Sequence, residues 1–259
     1  MKVSCGKEGA VWRVGLAPSA NETVLIDPEG VQALAAVLDD CVEDPGCRVL
    51  LLEGTATSFC EGLAIETVLR LSRTDLEHAV RHFANCLRGL RDARPLVVAA
   101  VEGIAAGGGV GLAAAADLVI ASAGSSFVLP ELTLGLLPAV VLPLLLERLP
   151  RQKARLLAVS ERLDAAQAHA LGLVDRLVED SAALARALRA VVKHALRLRP
   201  DAVAELKRLT AELAPLPLGE ALERGAARTT ALLADPERKA SLRAFLDGEP
   251  PPWFARWRP

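Results

Sequence analysis

Three consecutive glycines, Gly107-Gly108-Gly109, constrain this chain more than any other stretch. They follow an apolar run, Leu96-Val-Val-Ala-Ala-Val101, of the kind that forms a strand buried on both faces of a parallel sheet. They precede a short apolar segment with helical composition, and then a second apolar run from Asp117 to Ala121. A strand, a glycine corner, a helix and a further strand leave backbone N–H groups exposed where no side chain blocks a ligand. At a helix start such groups point at an anion or a carbonyl oxygen. Glu131 follows at once among apolar residues (Leu129, Leu132, Leu136) and is the ionisable group expected to share that pocket. Such surroundings should raise its pKa toward neutrality, as an acid/base group needs.

Composition narrows the surrounding possibilities. The chain has 259 residues, 52 % apolar and 24 % charged, which suits a packed globule and not a disordered chain. A formal net charge of −2 with scattered cations and few aromatics argues against a nucleic-acid partner. Tyrosine is absent, which removes one candidate general acid. The five cysteines are odd in number and form no Cys-x-x-Cys pair, so a reducing compartment fits better than a disulfide framework or zinc site. The N-terminus has no apolar core of signal-peptide length. The longest apolar run, residues 132–146, carries Pro138 and Pro143 and falls short of the ~20 residues that span a bilayer. A cytoplasmic protein without a membrane segment is expected.

Alternation at 11–16 predicts a strand, and Asp27-Pro28-Glu29 a capped helix start. Apolar residues at helical spacing from Val31 to Val42 fill that helix, which Asp44-Pro45-Gly46 ends. Val49 to Leu52 reads as a buried strand, 54–62 as a loop, and Leu76 to Leu90 as a long helix. Ser126-Phe-Val128 and 174–178 read as further strands, with helices at 139–148, 153–159 and 165–170. Beyond Ser181 the pattern is helical at 184–198, 203–213 and 218–233, with Pro250-Pro-Pro252 ending the last helix and Trp253 and Trp257 anchoring the tail. No internal repeat or long linker occurs. The alternation predicts an α/β core over residues 1–180 and a helical region over 181–259.

Several blocks in order carry a resemblance. Ser58-Phe-Cys-Glu-Gly62, Arg94-Pro-Leu-Val-Val-Ala-Ala-Val-Glu-Gly103, Ala106-Gly-Gly-Gly-Val-Gly-Leu112, Asp117 and Pro130-Glu-Leu-Thr-Leu-Gly-Leu-Leu-Pro138 resemble the crotonase (enoyl-CoA hydratase/isomerase) superfamily. The resemblance implies a crotonase (ClpP-like) fold, a spiral of ββα units with a helical C-terminal trimerisation region, assembled as a homotrimer or hexamer. Gly109-Val-Gly-Leu-Ala-Ala-Ala-Ala-Asp117 and Gly135-Leu-Leu-Pro-Ala-Val-Val-Leu-Pro143 look most like the dehydratases of polyketide β-branching, which act on 3-hydroxy-3-methylglutaryl-acyl carrier protein.

For individual residues the resemblance implies an oxyanion hole made by the main-chain N–H groups of Glu61 and Gly108. Glu131 matches the second of the two glutamates of enoyl-CoA hydratases. Gly111 stands at the first, so simple two-glutamate hydration is unsupported. An Asp of the polyketide branch is replaced by Ala64, which leaves several arrangements open: Glu131 makes both proton transfers, Glu61 or Glu66 substitutes, or activity is low. Substrate-lining roles fall to Cys60, Gly62, Ala64, Gly107, Gly109, Gly111, His82, Leu136 and Pro138. No metal or redox cofactor is implied, the acyl group arriving on the phosphopantetheine of an acyl carrier protein or of CoA. His78 and His82 have a metal-like spacing but no carboxylate partner, and Arg70, Arg73 or Arg81 could meet a distal substrate carboxylate. The rival readings are a CoA-thioester hydratase or isomerase and a homologue that binds thioesters without catalysis.

Overall fold

The computed structural model describes residues 1–19, 22–251 and 253–254. Ten strands form two sheets. The large one joins β1 (Lys2–Glu8), β2 (Val11–Ala17), β3 (Val49–Glu53), β5 (Leu96–Val101), β7 (Leu118–Ser122) and β10 (Arg176–Val178), parallel apart from the β1–β2 hairpin. The small one joins β4 (Ser58–Cys60), β6 (Ile104–Ala106), β8 (Ser126–Val128) and β9 (Leu163–Asp164). Each of β3, β5 and β7 is followed within a few residues by a short strand of the small sheet, so successive turns of the chain stack two parallel ladders side by side. The fold is α/β, a stack of ββα turns as the resemblance implies.

Eleven helices are described: α1 (Pro28–Glu43), α2 (Ile65–Val68), α3 (Arg73–Asp92), α4 (Gly108–Ala115), α5 (Leu142–Arg148), α6 (Arg151–Val159), α7 (Ala165–Leu171), α8 (Ser181–Ala195), α9 (Ala202–Leu213), α10 (Leu218–Ala234) and α11 (Pro236–Leu246). The expected Asp27 cap is present: its carboxylate accepts the Gly30 N–H at 2.7 Å, which satisfies one orphan donor of α1. Between the sheets and α1, α3 and α4 lies the main core, with Leu50, Leu52, Phe59, Leu87, Leu112 and Phe127 fully or almost fully buried. Helix α8 covers the opposite face of the large sheet, packing Leu184, Leu188 and Val192 on Val11, Val49, Leu51 and Val98. The first helix after residue 181 therefore shares a core with the strands before it, whereas α9, α10 and α11 bury no residue completely.

Several sequence readings shift. The 54–62 loop contains β4, and β6 and β9 are also strands; at two or three residues each they are too short for periodicity to register. Strand β1 is mostly exposed, so it shows no apolar alternation. The 139–148 helix starts only at Leu142, after turns in which the Pro138 carbonyl accepts the Val141 and Leu142 N–H groups. Asp235-Pro236 opens a separate helix, α11, which ends at Leu246 before Gly248 and not at the proline run, of which Pro252 lies outside the described residues. Trp253 does anchor the tail, its indole N–H donating to the Arg197 carbonyl at 3.2 Å; Trp257 lies outside the described residues.

Helix α9 is held to the core by one cation. Lys207 Nζ lies 2.7 Å from Asp117 and donates to the carbonyls of Ala93 and Pro95 at 2.7 and 3.1 Å. Asp117 also accepts the Val97 N–H at 2.8 Å, so strand entry and helix docking meet at one carboxylate. Burial pushes the Lys207 pKa down, opposed by Asp117. Lys207→Met should lower stability by about 2 kcal/mol, or ~4–8 °C in Tm, because it strands a desolvated Asp117. Adding Asp117→Asn should recover part of that loss in a thermal melt, which two independent deletions would not do.

Candidate active site

Strands β4, β6 and β8 run parallel, and each delivers one part of the site at its C-terminal end. Past β4 the chain turns at Gly62, whose φ of +85° suits glycine and few other residues. The Gly62 carbonyl accepts the Ile26 N–H at 2.7 Å, and the Ala64 N–H donates to the Ile26 carbonyl at 2.8 Å. In a trans peptide the C=O and the following N–H point in opposite directions. With the Gly62 C=O turned to Ile26, the Leu63 N–H points away from that segment, and among the described residues it has no acceptor.

Past β6, Gly107 takes φ +49° and ψ −114° and donates its N–H to the Val128 carbonyl of β8 at 2.9 Å. That turn starts α4 at Gly108, every residue of which is buried. The Gly107 carbonyl accepts the Gly111 N–H, so the Gly108 N–H projects back out of the helix start, again with no acceptor among the described residues. An ideal Cβ on Gly62 would lie 3.5 Å from the Gly108 nitrogen, so the two turns are adjacent. A Cβ on Gly108 would meet Ile26 Cδ1 at 2.5 Å and the Phe83 ring at 3.1 Å. Both side chains are buried and keep this side of the corner dry.

Past β8, Pro130–Leu132 forms a 3-10 turn carrying Glu131, whose carbonyl is tied down by the Leu134 and Leu136 N–H groups at 3.1 and 2.8 Å. The carboxyl points at the glycine corner: Oε1 lies 3.1 Å from where a Gly107 Cβ would be. Oε2 is buried without a hydrogen-bond partner among the described residues. Burial raises the Glu131 pKa, since desolvation disfavours the charged form. A raised folded-state pKa means that this group favours folding below its unfolded pKa, and that the contribution is lost as pH rises through the folded value. Glu131→Gln should therefore raise Tm at pH 8 by about 2–4 °C, on the order of 1 kcal/mol for relieving an unpaired carboxylate. The gain should vanish near pH 4; an equal gain at both pH values would contradict the assignment.

These contacts sort the residues expected from sequence. Gly107, Gly108, Gly62 and Glu131 come together as expected. Glu61 does not serve as the oxyanion donor: its N–H is spent on the Val24 carbonyl at 2.8 Å, and the free donor of this loop is Leu63. Cys60 and Gly109 do not line a substrate cavity. Cys60 is fully buried with its thiol pushed up to about 12, and a Cβ on Gly109 would sit 1.9 Å from the Cys60 carbonyl oxygen, so the pair is a packing contact. Gly111 faces Val141 Cγ2 and Leu87, leaving no open space for a carboxylate beside Glu131. Ala64 precedes α2 and is partly exposed, with its N–H bound to Ile26. Glu66 is exposed and pairs with Arg70, turned away from a catalytic role. His82 and His78 are exposed on α3, and no metal-binding cluster exists among the described residues. Phe83, one position on, is the residue of α3 that reaches the corner. Leu132 and Leu136 are exposed and do not enclose Glu131; Leu136 holds the Glu131 carbonyl through its backbone, and buried Pro138 shapes the turn that brings Val141 over Gly111. Sequence reasoning missed Leu63, Ile26 and Val141; the Gly62 turn was the one available signal for Leu63.

Two unengaged N–H groups beside a single desolvated carboxyl form a site for a carbonyl oxygen that gains negative charge. The sequence matches the enoyl-CoA hydratase/isomerase family over residues 17–256. The chain belongs to that family. It is an enzyme of the hydratase/dehydratase type, a hydro-lyase within the crotonase superfamily. The bacillaene synthase dehydratase PksH of Bacillus subtilis is 31 % identical over 185 residues, covering 70 % of this chain and 68 % of that protein. The carnitinyl-CoA dehydratase of Proteus mirabilis is 32 % identical over 201 residues, covering 76 % of each. Among solved structures, an enoyl-CoA hydratase/isomerase from Marinobacter aquaeolei superposes with a TM-score of 0.85 at 27 % identity, covering 98 % of this chain and 99 % of that one. No described helix is long and apolar enough to cross a membrane.

Proposed function

We propose that this family member removes water from 3-hydroxy-3-methylglutaryl-acyl carrier protein, giving the 3-methylglutaconyl thioester. One observation carries the reading: the corner holds a lone carboxyl, Glu131, while the helix position facing it is Gly111, closed off by Val141. Addition and elimination of water share one transition state, so the lone carboxyl does not set the direction; it separates this site from the two-glutamate hydratases of the resemblance and leaves Glu131 to move the proton by itself. The Leu63 and Gly108 N–H groups bind the thioester oxygen as the α-proton leaves and enolate charge builds, each donor contributing about 3–4 kcal/mol to the transition state. Glu131 is the acid/base: as a carboxylate it takes the α-proton, and as an acid it gives that proton to the departing hydroxyl. The likeness to the bacillaene synthase dehydratase PksH supports dehydration in the service of a synthase.

A second reading is favoured by the surface around the corner. Leu63, Ile65, Leu132 and Leu134 are exposed on its flanks, and Arg70 and Arg73 are already paired with Glu66 and Glu77. An apolar acyl-CoA, lacking a distal carboxylate, fits such a rim. Turnover of the 3-hydroxy-3-methylglutaryl group on carrier protein and on CoA, against a 3-hydroxyacyl-CoA with a plain alkyl chain, separates the two. Tenfold or greater preference for the carrier-bound acid supports the first reading; preference for the alkyl CoA substrate overturns it. Ala64→Asp should raise dehydration if the missing carboxylate of the polyketide branch limits the rate. The same reading extends to a homotrimer, in which the apolar residues exposed on α10 and α11 (Leu218, Leu222, Phe245, Leu246) become covered. Light scattering in solution measures it.

A further inference from the structure

Away from the corner, two thiols meet inside the fold. Cys41, near the end of α1, and Cys47, before β3, are both buried, and their Sγ atoms lie 3.1 Å apart. That is about 1 Å beyond a covalent S–S bond of ~2.05 Å. The turn between them is held from outside. Asp44 accepts from Lys7 at 2.7 Å and from the Trp12 indole at 3.1 Å, and Arg94 donates to the Asp44 and Pro45 carbonyls at 2.5 and 3.3 Å. Pro45 and Gly46 are exposed, so only a thin turn covers the pair. The Cys47 thiol and the Arg94 guanidinium both pull the Cys41 pKa below its ordinary value, while the Cys47 pKa is pushed up by that hydrogen bond and by burial. Cys60 and Cys86 are also buried with raised pKa values, and neither thiol has a second sulfur in contact among the described residues.

We propose that Cys41 and Cys47 are a modification site, a dithiol that closes to an intramolecular disulfide when the folded protein meets a hydroperoxide. The Cys41 thiolate attacks the peroxide oxygen and breaks the O–O bond, giving a sulfenic acid and, with a proton, water. The Cys47 sulfur then attacks Cys41 Sγ and expels hydroxide, which leaves as a second water when protonated. Two thiols are oxidised and one hydrogen peroxide is reduced, with no other reactant. Closing the bond draws the 44–47 turn inward against the Arg94 contacts that precede β5.

The test uses the full chain carrying Cys5→Ser, which removes the one exposed thiol. The folded protein is treated with hydrogen peroxide, alkylated and digested with trypsin. Residues 14–48 form a single tryptic peptide that contains both cysteines. That peptide should lose two hydrogens and resist alkylation, while peptides carrying Cys60 and Cys86 remain alkylated. Dithiothreitol should restore both thiols. Cys41→Ser and Cys47→Ser should each abolish the two-hydrogen loss, and Cys47→Ser should instead accumulate a sulfenic acid at Cys41. Full alkylation of both cysteines after peroxide, or equal oxidation of Cys60 and Cys86, overturns the proposal.

Discussion

Glu131→Gln should lower kcat for water elimination by about 10²–10⁴-fold with little change in KM, because the variant keeps the side chain's shape and loses its proton transfer. The carboxyl stands alone beside the glycine corner, and Glu66, a possible substitute, faces solvent with Arg70. Dehydration of a 3-hydroxyacyl thioester, followed by mass spectrometry, measures it. Activity within tenfold of the parent would remove Glu131 from the chemistry. The same variant should be more stable than the parent at alkaline pH, so lost turnover could not be blamed on unfolding.

Gly109→Ala should destabilise the fold by about 3 kcal/mol or more, lowering Tm by roughly 6 °C or preventing folding altogether. The added methyl would lie 1.9 Å from the Cys60 carbonyl oxygen and 2.7 Å from its carbon, which are backbone atoms of β4 and cannot rotate aside. The helix-propensity gain of about 1 kcal/mol for replacing glycine does not offset this. Gly111→Ala provides the contrast. Its methyl meets Val141 Cγ2 at 2.9 Å, a side chain that can shift, so the clash and the propensity gain should nearly cancel. Two melts, two positions apart on α4, distinguish a glycine required by backbone approach from one that leaves room for a packed valine. A melt of Gly109→Ala matching the parent would show that β4 can move away from α4.

The large sheet was legible because β3 and β5 are continuous apolar runs and α1 starts with its own cap. The small sheet was not. Its strands are two or three residues long, and what defines them is pairing with partners 22 to 46 residues away, which no local pattern encodes. The site inherits the same asymmetry. Gly108 and Glu131 could be picked out from residue type and surroundings, and the structure brings them to one corner. The second donor could not, since it depends on which way one peptide plane faces: Val24 engages the Glu61 N–H, and the flip at Gly62 turns the next one outward. Likewise Cys60 looked like a lining residue by adjacency, whereas all of β4 is buried and its side chain lies in the core. The Cys41–Cys47 contact was invisible because a turn, not a motif, brings the thiols together.

The parallel ladder of β4, β6 and β8 also sets the order in which this protein can become active. The three parts of the corner arise from chain positions near 62, 107 and 131, and none is near another until these brief pairings have formed. Pairings that close long loops form slowly, because the entropy of closure precedes the reward. A nascent chain that has exposed only its first 120 residues holds both turns and lacks the acid. Refolding should accordingly restore helical signal first and turnover last, with competence gained in one late step.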